Sequence, residues 1–294
     1  MNNGTRSSRQ RMQAHPAAVI GPVVALLIAL YVPTFVQLWH FWETDENFGH
    51  GFLVPLVSLY LVWRARDRLK RIPVEPHAPP IPWLISGLLL YVVGFRGAIL
   101  SASAVSFVLV LTWFLWFFLG GAFVREIRFA LFFLVFMIPI PMLDQLSNPL
   151  KLLASQVATP AVRALGVPIY REGAVLFLPH FSLEVATACS GLKALVLVTA
   201  LGTLYGHLTL NGLWERLALI ISCIPIAFAA NIGRIVIVAL LSLRVSGEQL
   251  LHLVHDYSGL PVYVIAGVLL AVTGWGIEWL SRRKRMSSSS RRLV

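Results

Sequence analysis

Long apolar runs alternate with short, mostly basic breaks along almost the whole of this chain. The first run, from Ala17 to about Phe41, follows a polar start, residues 1–16, that carries Arg6, Arg9 and Arg11. It is too long for the apolar core of a signal peptide and no small-residue cleavage site follows it. An uncleaved first span is expected, with its N-terminus inside. A shorter run, Phe48 to Trp63, stops at Arg64, Arg66, Arg68, Lys70 and Arg71, the strongest inside marker in the chain. After a Pro-rich linker, Pro73 to Pro82, a third span is expected from about Trp83 to Leu100. A fourth runs from about Ser103 to Val124, closed by Arg125 and Arg128, and puts Arg96 at the outer end of the hairpin. A fifth span, Phe129 to Met142, ends in Ile138-Pro139-Ile140-Pro141, which cannot continue a regular helix.

From Asp144 to Thr187 the pattern changes, because Lys151, Arg163, Arg171, Glu172 and Glu184 interrupt the apolar residues. Leu146 to Leu165 has helical apolar spacing and suits an amphipathic helix lying on the membrane. Val167 to Val185 is broken at Glu172-Gly173 and at Pro179, and reads as short strands. Three further spans follow: Cys189 to Gly206, Leu217 to about Leu243 and Leu260 to Leu280. Trp214-Glu215-Arg216 marks an inner turn, Arg244 to Ser258 lies outside, and Arg282-Arg283-Lys284-Arg285 closes the last span inside. The expected architecture is an all-α polytopic membrane protein of about eight transmembrane helices. An amphipathic and short-strand outer segment, residues 144–187, is inserted between spans five and six. Residues 17–280 form one integral membrane domain between basic cytoplasmic ends, 1–16 and 281–294.

Composition agrees: 57% of residues are hydrophobic, only 13% are charged, and the mean hydropathy is +0.78. Soluble domains carry about 25% charged residues. Two cysteines are too few for a disulfide-stapled module, and the apolar runs exclude a disordered or collagen-like chain. The net charge of +11 raises the question of nucleic acid. Its distribution gives a simpler answer, since 17 of the 24 Lys and Arg fall in segments assigned to the inside. The expected medium is a lipid bilayer, with no nucleic-acid partner.

Ionisable groups inside apolar spans are the informative ones, because an Arg at mid-bilayer costs about 2.5 to 3.5 kcal/mol even on the lenient insertion scale. Arg234 lies eighteen residues beyond Arg216. At 1.5 Å per residue that is about 27 Å, near the outer face. Taken alone it reads equally well as a snorkelling or helix-pairing residue. Cys189, in Thr187-Ala188-Cys189-Ser190-Gly191, sits where an outer extended segment turns into a helix, and the positive end of a helix favours a thiolate. A lone cysteine in a membrane is more often a small buried hydrophobe, which is the reading given to Cys223. His255, in His252-Leu253-Val254-His255-Asp256-Tyr257-Ser258-Gly259, precedes the last span, again outside. A thiol, an imidazole to deprotonate it and a guanidinium to hold an oxyanion are the minimum parts for acyl transfer through a thioester. Asn231, one helical turn from Arg234, can orient it.

These residues resemble the exosortases and archaeosortases. The stretch Ala188-Cys189-Ser190-Gly191-Leu192 is similar to that family's nucleophile motif, Asn231-Ile232-Gly233-Arg234-Ile235 to its arginine motif, and His255 to Gly259 to its histidine motif. Phe48-Gly49-His50-Gly51-Phe52-Leu53-Val54-Pro55 resembles its early outer-face segment, which brings in His50, and Met137 to Pro141 its proline pair. Phe48-Gly49 stands where the family more often has Tyr-Ser, and Lys193 where Arg is common. The resemblance implies a membrane cysteine transpeptidase acting on C-terminal sorting signals of exported proteins. Such a signal has a short motif, often Pro-Glu-Pro, then a transmembrane helix and a basic cluster; the acceptor nucleophile is unknown. Cys189, Arg234 and His255 are then catalytic, with Asn231, Ser190 and His50 supporting.

Two other classes fit parts of the sequence. A rhomboid-like serine protease would use Ser190 with a distant His but leaves Cys189 and Arg234 without work, and a transporter would line a polar path with Arg234 and His255. A zinc protease lacks a His-Glu-x-x-His sequence, and no metal or cofactor is expected.

Overall fold

The computed structural model describes residues 16–45, 48–75, 79, 81–140, 143–178, 181–184, 192–241 and 259–290. Its contacts divide the chain into two units, Met1–Thr44 with Trp63–Leu131, and Asp45–Val62 with Phe132–Val294.

In the first unit α1 (Pro16–Thr44) accompanies a hairpin of α4 (Ile81–Arg96) and α5 (Leu100–Leu119). Helices in lipid gain little by burying apolar side chains against each other, so close approach and polar contacts have to hold them. Here Gly87 lies against Val110 and Gly94 against Ser103, where a Cβ would come within 2.9 and 2.6 Å. Tyr31 Oη shares a 2.5 Å hydrogen bond with Ser106 Oγ, and Ser106 Oγ donates to the Gly87 carbonyl at 2.7 Å. Tyr91 Oη donates to the Leu30 carbonyl at 2.7 Å. Between α2 (Leu53–Arg64) and α4 lies the single turn α3 (Arg66–Leu69). Gly120, at φ +91°, stops α5 and starts α6 (Gly121–Phe133).

In the second unit a 3-10 turn at Gly49–Phe52 packs on another at Leu134–Met137. The amphipathic helix α7 (Leu143–Ala164) buries Ala154, Ala158 and Val162, one every four residues, against α9 (Leu213–Leu241). The meander that follows has strands β1 (Tyr170–Glu172), β2 (Val175–Leu178) and β3 (Phe181–Glu184), antiparallel in chain order, pairing Tyr170 with Phe177 and Leu176 with Leu183. Gly173, at φ +59°, makes the tight turn from β1 to β2. Ser155 Oγ donates to its carbonyl at 3.0 Å and so fastens the meander to α7. Then α8 (Leu192–Thr209), α9 and α10 (Gly259–Ser290) pack as a three-helix bundle.

Four described helices are long and apolar enough to cross a membrane: α1 over Gly21–Thr44, α5, α9, and α10 over Tyr263–Arg283. The apolar α4 and the Ala194–Thr209 part of α8 are shorter. Outward-facing residues such as Leu26, Val36, Leu89, Ile221, Val264 and Val268 are more than half exposed, a surface that a bilayer solvates and water does not. The protein is an integral membrane protein.

The expected second and fifth spans come out differently. Phe48 to Trp63 is a 3-10 turn followed by a helix of 12 residues. The fifth helix begins at Gly121, because the positive φ of Gly120 breaks the fourth at Leu119 and Val124, Ile127, Ala130 and Leu131 form a new buried face. It loosens to 3-10 at Leu134–Met137, and Ile138 is extended at φ −88°, ψ 126°. Pro139 explains both, since it donates no hydrogen bond and keeps its predecessor out of the α region.

Candidate active site

The second unit's chemistry gathers on one stripe of α9. Leu219, Cys223, Ile226, Ala227, Ala230, Asn231, Arg234, Ile235 and Val238 are buried, spaced three and four apart as one helical face requires. Below Asn231 this stripe meets Ala194 and Val198 of α8 with Ala266 and Leu270 of α10; above Arg234 it meets Ala154, Ala158 and Val162 of α7 with Leu176 and Leu178 of β2. The two polar residues therefore sit at the joint between two apolar clusters. Asn231 is 1% exposed and Arg234 9%. A guanidinium held there costs several kcal/mol unless its donors are engaged, so packing alone does not account for it.

Contacts along the bundle fix directions and heights. Gly202 touches Cys223, and Gly206 touches Leu219 and Arg216, so α8 and α9 are antiparallel. Gly202 also meets Leu270 and Gly274 meets Tyr205, so α8 and α10 are parallel. Ile265 lies 3.1 Å from where a Cβ on Gly233 would stand. Leu192 and Gly233 are each ten residues from the Gly202–Cys223 contact, on antiparallel helices and in the same direction. That is about 15 Å on both. Arg234 thus stands level with the first turn of α8, at the end of the bundle where α9 finishes and α10 starts.

Tyr263, half-buried near the start of α10, interacts electrostatically with Arg234. Sequence reasoning missed it, because a tyrosine near a span end reads as an interfacial residue. The antiparallel order of the last two spans, which sets the start of the last beside the end of the one before, is the signal that could have found it.

Cys189 and Ser190 lie outside the described residues, between β3 and α8, as does His255, between α9 and α10. Of the expected site residues, Asn231 and Arg234 are brought together one turn apart on one buried face. His50 lies on the Gly49–Phe52 turn, its ring stacked on Phe48 with centroids 5.9 Å apart. Its turn packs on Leu134–Met137, a contact that does not itself tie it to Arg234. Cys223 is fully buried, its thiol donating to the Leu219 carbonyl at 3.3 Å and pressed against Gly202. Those contacts are packing contacts. Among the described residues no three His, Cys, Asp or Glu side chains gather as metal ligands.

A family model described as transmembrane exosortase matches residues 42–272, which is most of the 294-residue chain. The match runs from the end of α1 into α10 and takes in Cys189, Asn231, Arg234 and His255. No curated protein and no solved structure matches the chain.

Proposed function

Because the chain belongs to the transmembrane exosortase family, we propose that it is a cysteine transpeptidase. It cleaves the C-terminal sorting signals of exported membrane-anchored proteins through a thioester on Cys189. The observation that carries this reading is the level arrangement of the bundle: the α8 start, Arg234 and the α10 start share one end. In the sequence Cys189 comes three residues before Leu192 and His255 four before Gly259, an order that supports the reading.

The division of labour follows from the side chains. Cys189 attacks the scissile carbonyl as a thiolate, its proton taken by His255. The tetrahedral oxyanion, or the substrate carboxylate, lies against Arg234, which Asn231 and Tyr263 orient. Collapse breaks the C–N bond, and His255 returns the proton to the leaving amine. The tail helix departs, and the outer portion of the substrate remains as a thioester. An acceptor nucleophile, deprotonated by His255, then attacks this thioester and regenerates the thiol. The reading includes eight spans, both termini in the cytoplasm and the site on the outer face of the inner membrane, with residues 17–280 acting as one catalytic domain. The substrate's basic cluster then stays inside while the scissile bond reaches Cys189.

Coexpression with a protein bearing a Pro-Glu-Pro motif, a transmembrane helix and a basic tail tests the reading. Processing should be abolished in Cys189→Ala, nearly so in His255→Ala, and retained in Cys223→Ala. A serine protease would instead tolerate Cys189→Ala and lose activity in Ser190→Ala, and a transporter would leave the substrate uncleaved even as wild type. Full processing by Cys189→Ala sinks the proposal.

A further inference from the structure

The first unit carries a surface that the proposed chemistry does not use. Between Trp63 and Glu75 five cations, Arg64, Arg66, Arg68, Lys70 and Arg71, are all exposed. On α6, Arg125 and Arg128 are exposed one turn apart. Two contacts join these segments. Arg68 Nε donates to Glu126 Oε1 in an ion pair, and the Glu75 carbonyl lies 2.6 Å from where a Cβ on Gly120 would stand. The linker therefore runs against the α5–α6 corner, and seven cations share one end of the unit with three acids, Asp67, Glu75 and Glu126.

The acids do not neutralise this surface. Asp67 accepts Arg66 at 3.9 Å and Lys70 at 3.8 Å, and Glu126 accepts Arg68. Arg64, Arg71, Arg125 and Arg128 make no ion pair among the described residues. Four exposed guanidinium groups without an ion pair thus stand on the two segments that the Arg68–Glu126 pair joins, and the planar fork of Arg matches phosphate oxygens bidentately.

Its position in the membrane identifies the phosphate. Trp63, 56% exposed, carries the Arg66 guanidinium over its ring at 4.2 Å, and Trp83, 45% exposed, stands at the start of α4. Gly87 meets Val110 and Gly94 meets Ser103, so the α4 start and the α5 end lie at the same end of the hairpin. Exposed tryptophans at the ends of apolar helices mark the headgroup level of a bilayer. The cations immediately beyond them face lipid phosphates.

We propose that Arg64, Arg71, Arg125 and Arg128, on the two segments joined by the Arg68–Glu126 pair, form a binding site for anionic phospholipid headgroups at the α3–α6 end of the first unit. The site is independent of the peptide chemistry, whichever side of the membrane it faces. Each basic residue near an anionic surface contributes about 1 kcal/mol, or roughly fivefold in the preference for anionic over zwitterionic lipid.

The test uses the full-length protein in mixed phosphatidylcholine and phosphatidylglycerol nanodiscs, with lipid retained on extraction counted by native mass spectrometry. The wild type should keep phosphatidylglycerol in preference to phosphatidylcholine. Arg125→Gln with Arg128→Gln should lose that preference at least tenfold, whereas Arg282→Gln with Arg283→Gln, an equal loss of charge at the far end of α10, should change it less than twofold. The α6 pair is exposed and makes no ion pair among the described residues, so the variant should fold, and an unchanged thermal midpoint checks this. Equal losses in both variants would mean diffuse attraction with no site. Displacement by millimolar inorganic phosphate would mean a free-anion site, and retention of an acidic protein in place of lipid a docking surface for protein. Each of these outcomes, or a wild type with no anionic preference, overturns the proposal.

Discussion

At the scale of single residues the proposed mechanism puts its weight on Arg234. It was legible in the sequence because a permanent charge in an apolar run is costly enough to need a reason, and Asn231 was legible as its neighbour one turn away. What spacing does not reveal is the company they keep. The joint between two apolar clusters, and the electrostatic influence of Arg234 on Tyr263 of α10, depend on which helices pack together. Cys189 and His255 rest on motif and chain order alone. Arg234→Lys should reduce sorting-signal cleavage about a hundredfold or more, since an ammonium keeps the charge but lacks the planar fork. Tyr263→Phe should lower kcat with little change in KM if its hydroxyl steadies Arg234 during the reaction. A raised KM with unchanged kcat in single-turnover and steady-state assays would assign it to ground-state substrate binding instead.

At the scale of elements, periodicity located the amphipathic helix within three residues at either end, and broken apolar pairs marked the meander. The expected helix over Leu146 to Leu165 is α7, Leu143–Ala164. The shortened second span and the shifted fifth could not be read from hydropathy, because the former depends on the 3-10 backbone at Gly49–Phe52 and the latter on Gly120 and Pro139 rather than on apolar content. Close helix contacts were equally invisible, since Gly202 and Cys223 are far apart in sequence and each is unremarkable alone. Their contact yields a coupling experiment. A methyl group at position 202 would collide with the Cys223 sulfur. Gly202→Ala should therefore lower the thermal midpoint in detergent, and adding Cys223→Ala should restore much of the loss, a favourable coupling of about 1 kcal/mol or more. Additive losses in the double variant would show that the helices already part to admit the methyl.

At the scale of the whole molecule, the alternation of apolar runs and basic breaks sets the class of protein, and the described helices bear out an integral membrane chain with four spans of full length. The proposed eight-span topology extends that count through the shorter helices. It can be tested by cysteine-accessibility labelling in cells: with Cys223→Ala, position 189 should react with a membrane-impermeant thiol reagent from outside, and with both native cysteines replaced by Ala, cysteines placed at 66 or 70 should react only after permeabilisation. Labelling of position 189 only from the cytoplasm would overturn both topology and mechanism. The account's central claim is covalent, and one measurement addresses it directly. The protein, purified after coexpression with a substrate and quenched in acid, is digested and searched for a substrate fragment on the peptide containing Cys189. The expected result is a hydroxylamine-labile adduct on Cys189 that ends at the cleavage site, accumulates in His255→Ala if deacylation slows more than acylation, and is absent from Cys189→Ala. Efficient substrate cleavage by a Cys189→Ala protein, or an adduct mapped to Ser190 or Cys223 in place of Cys189, would contradict it.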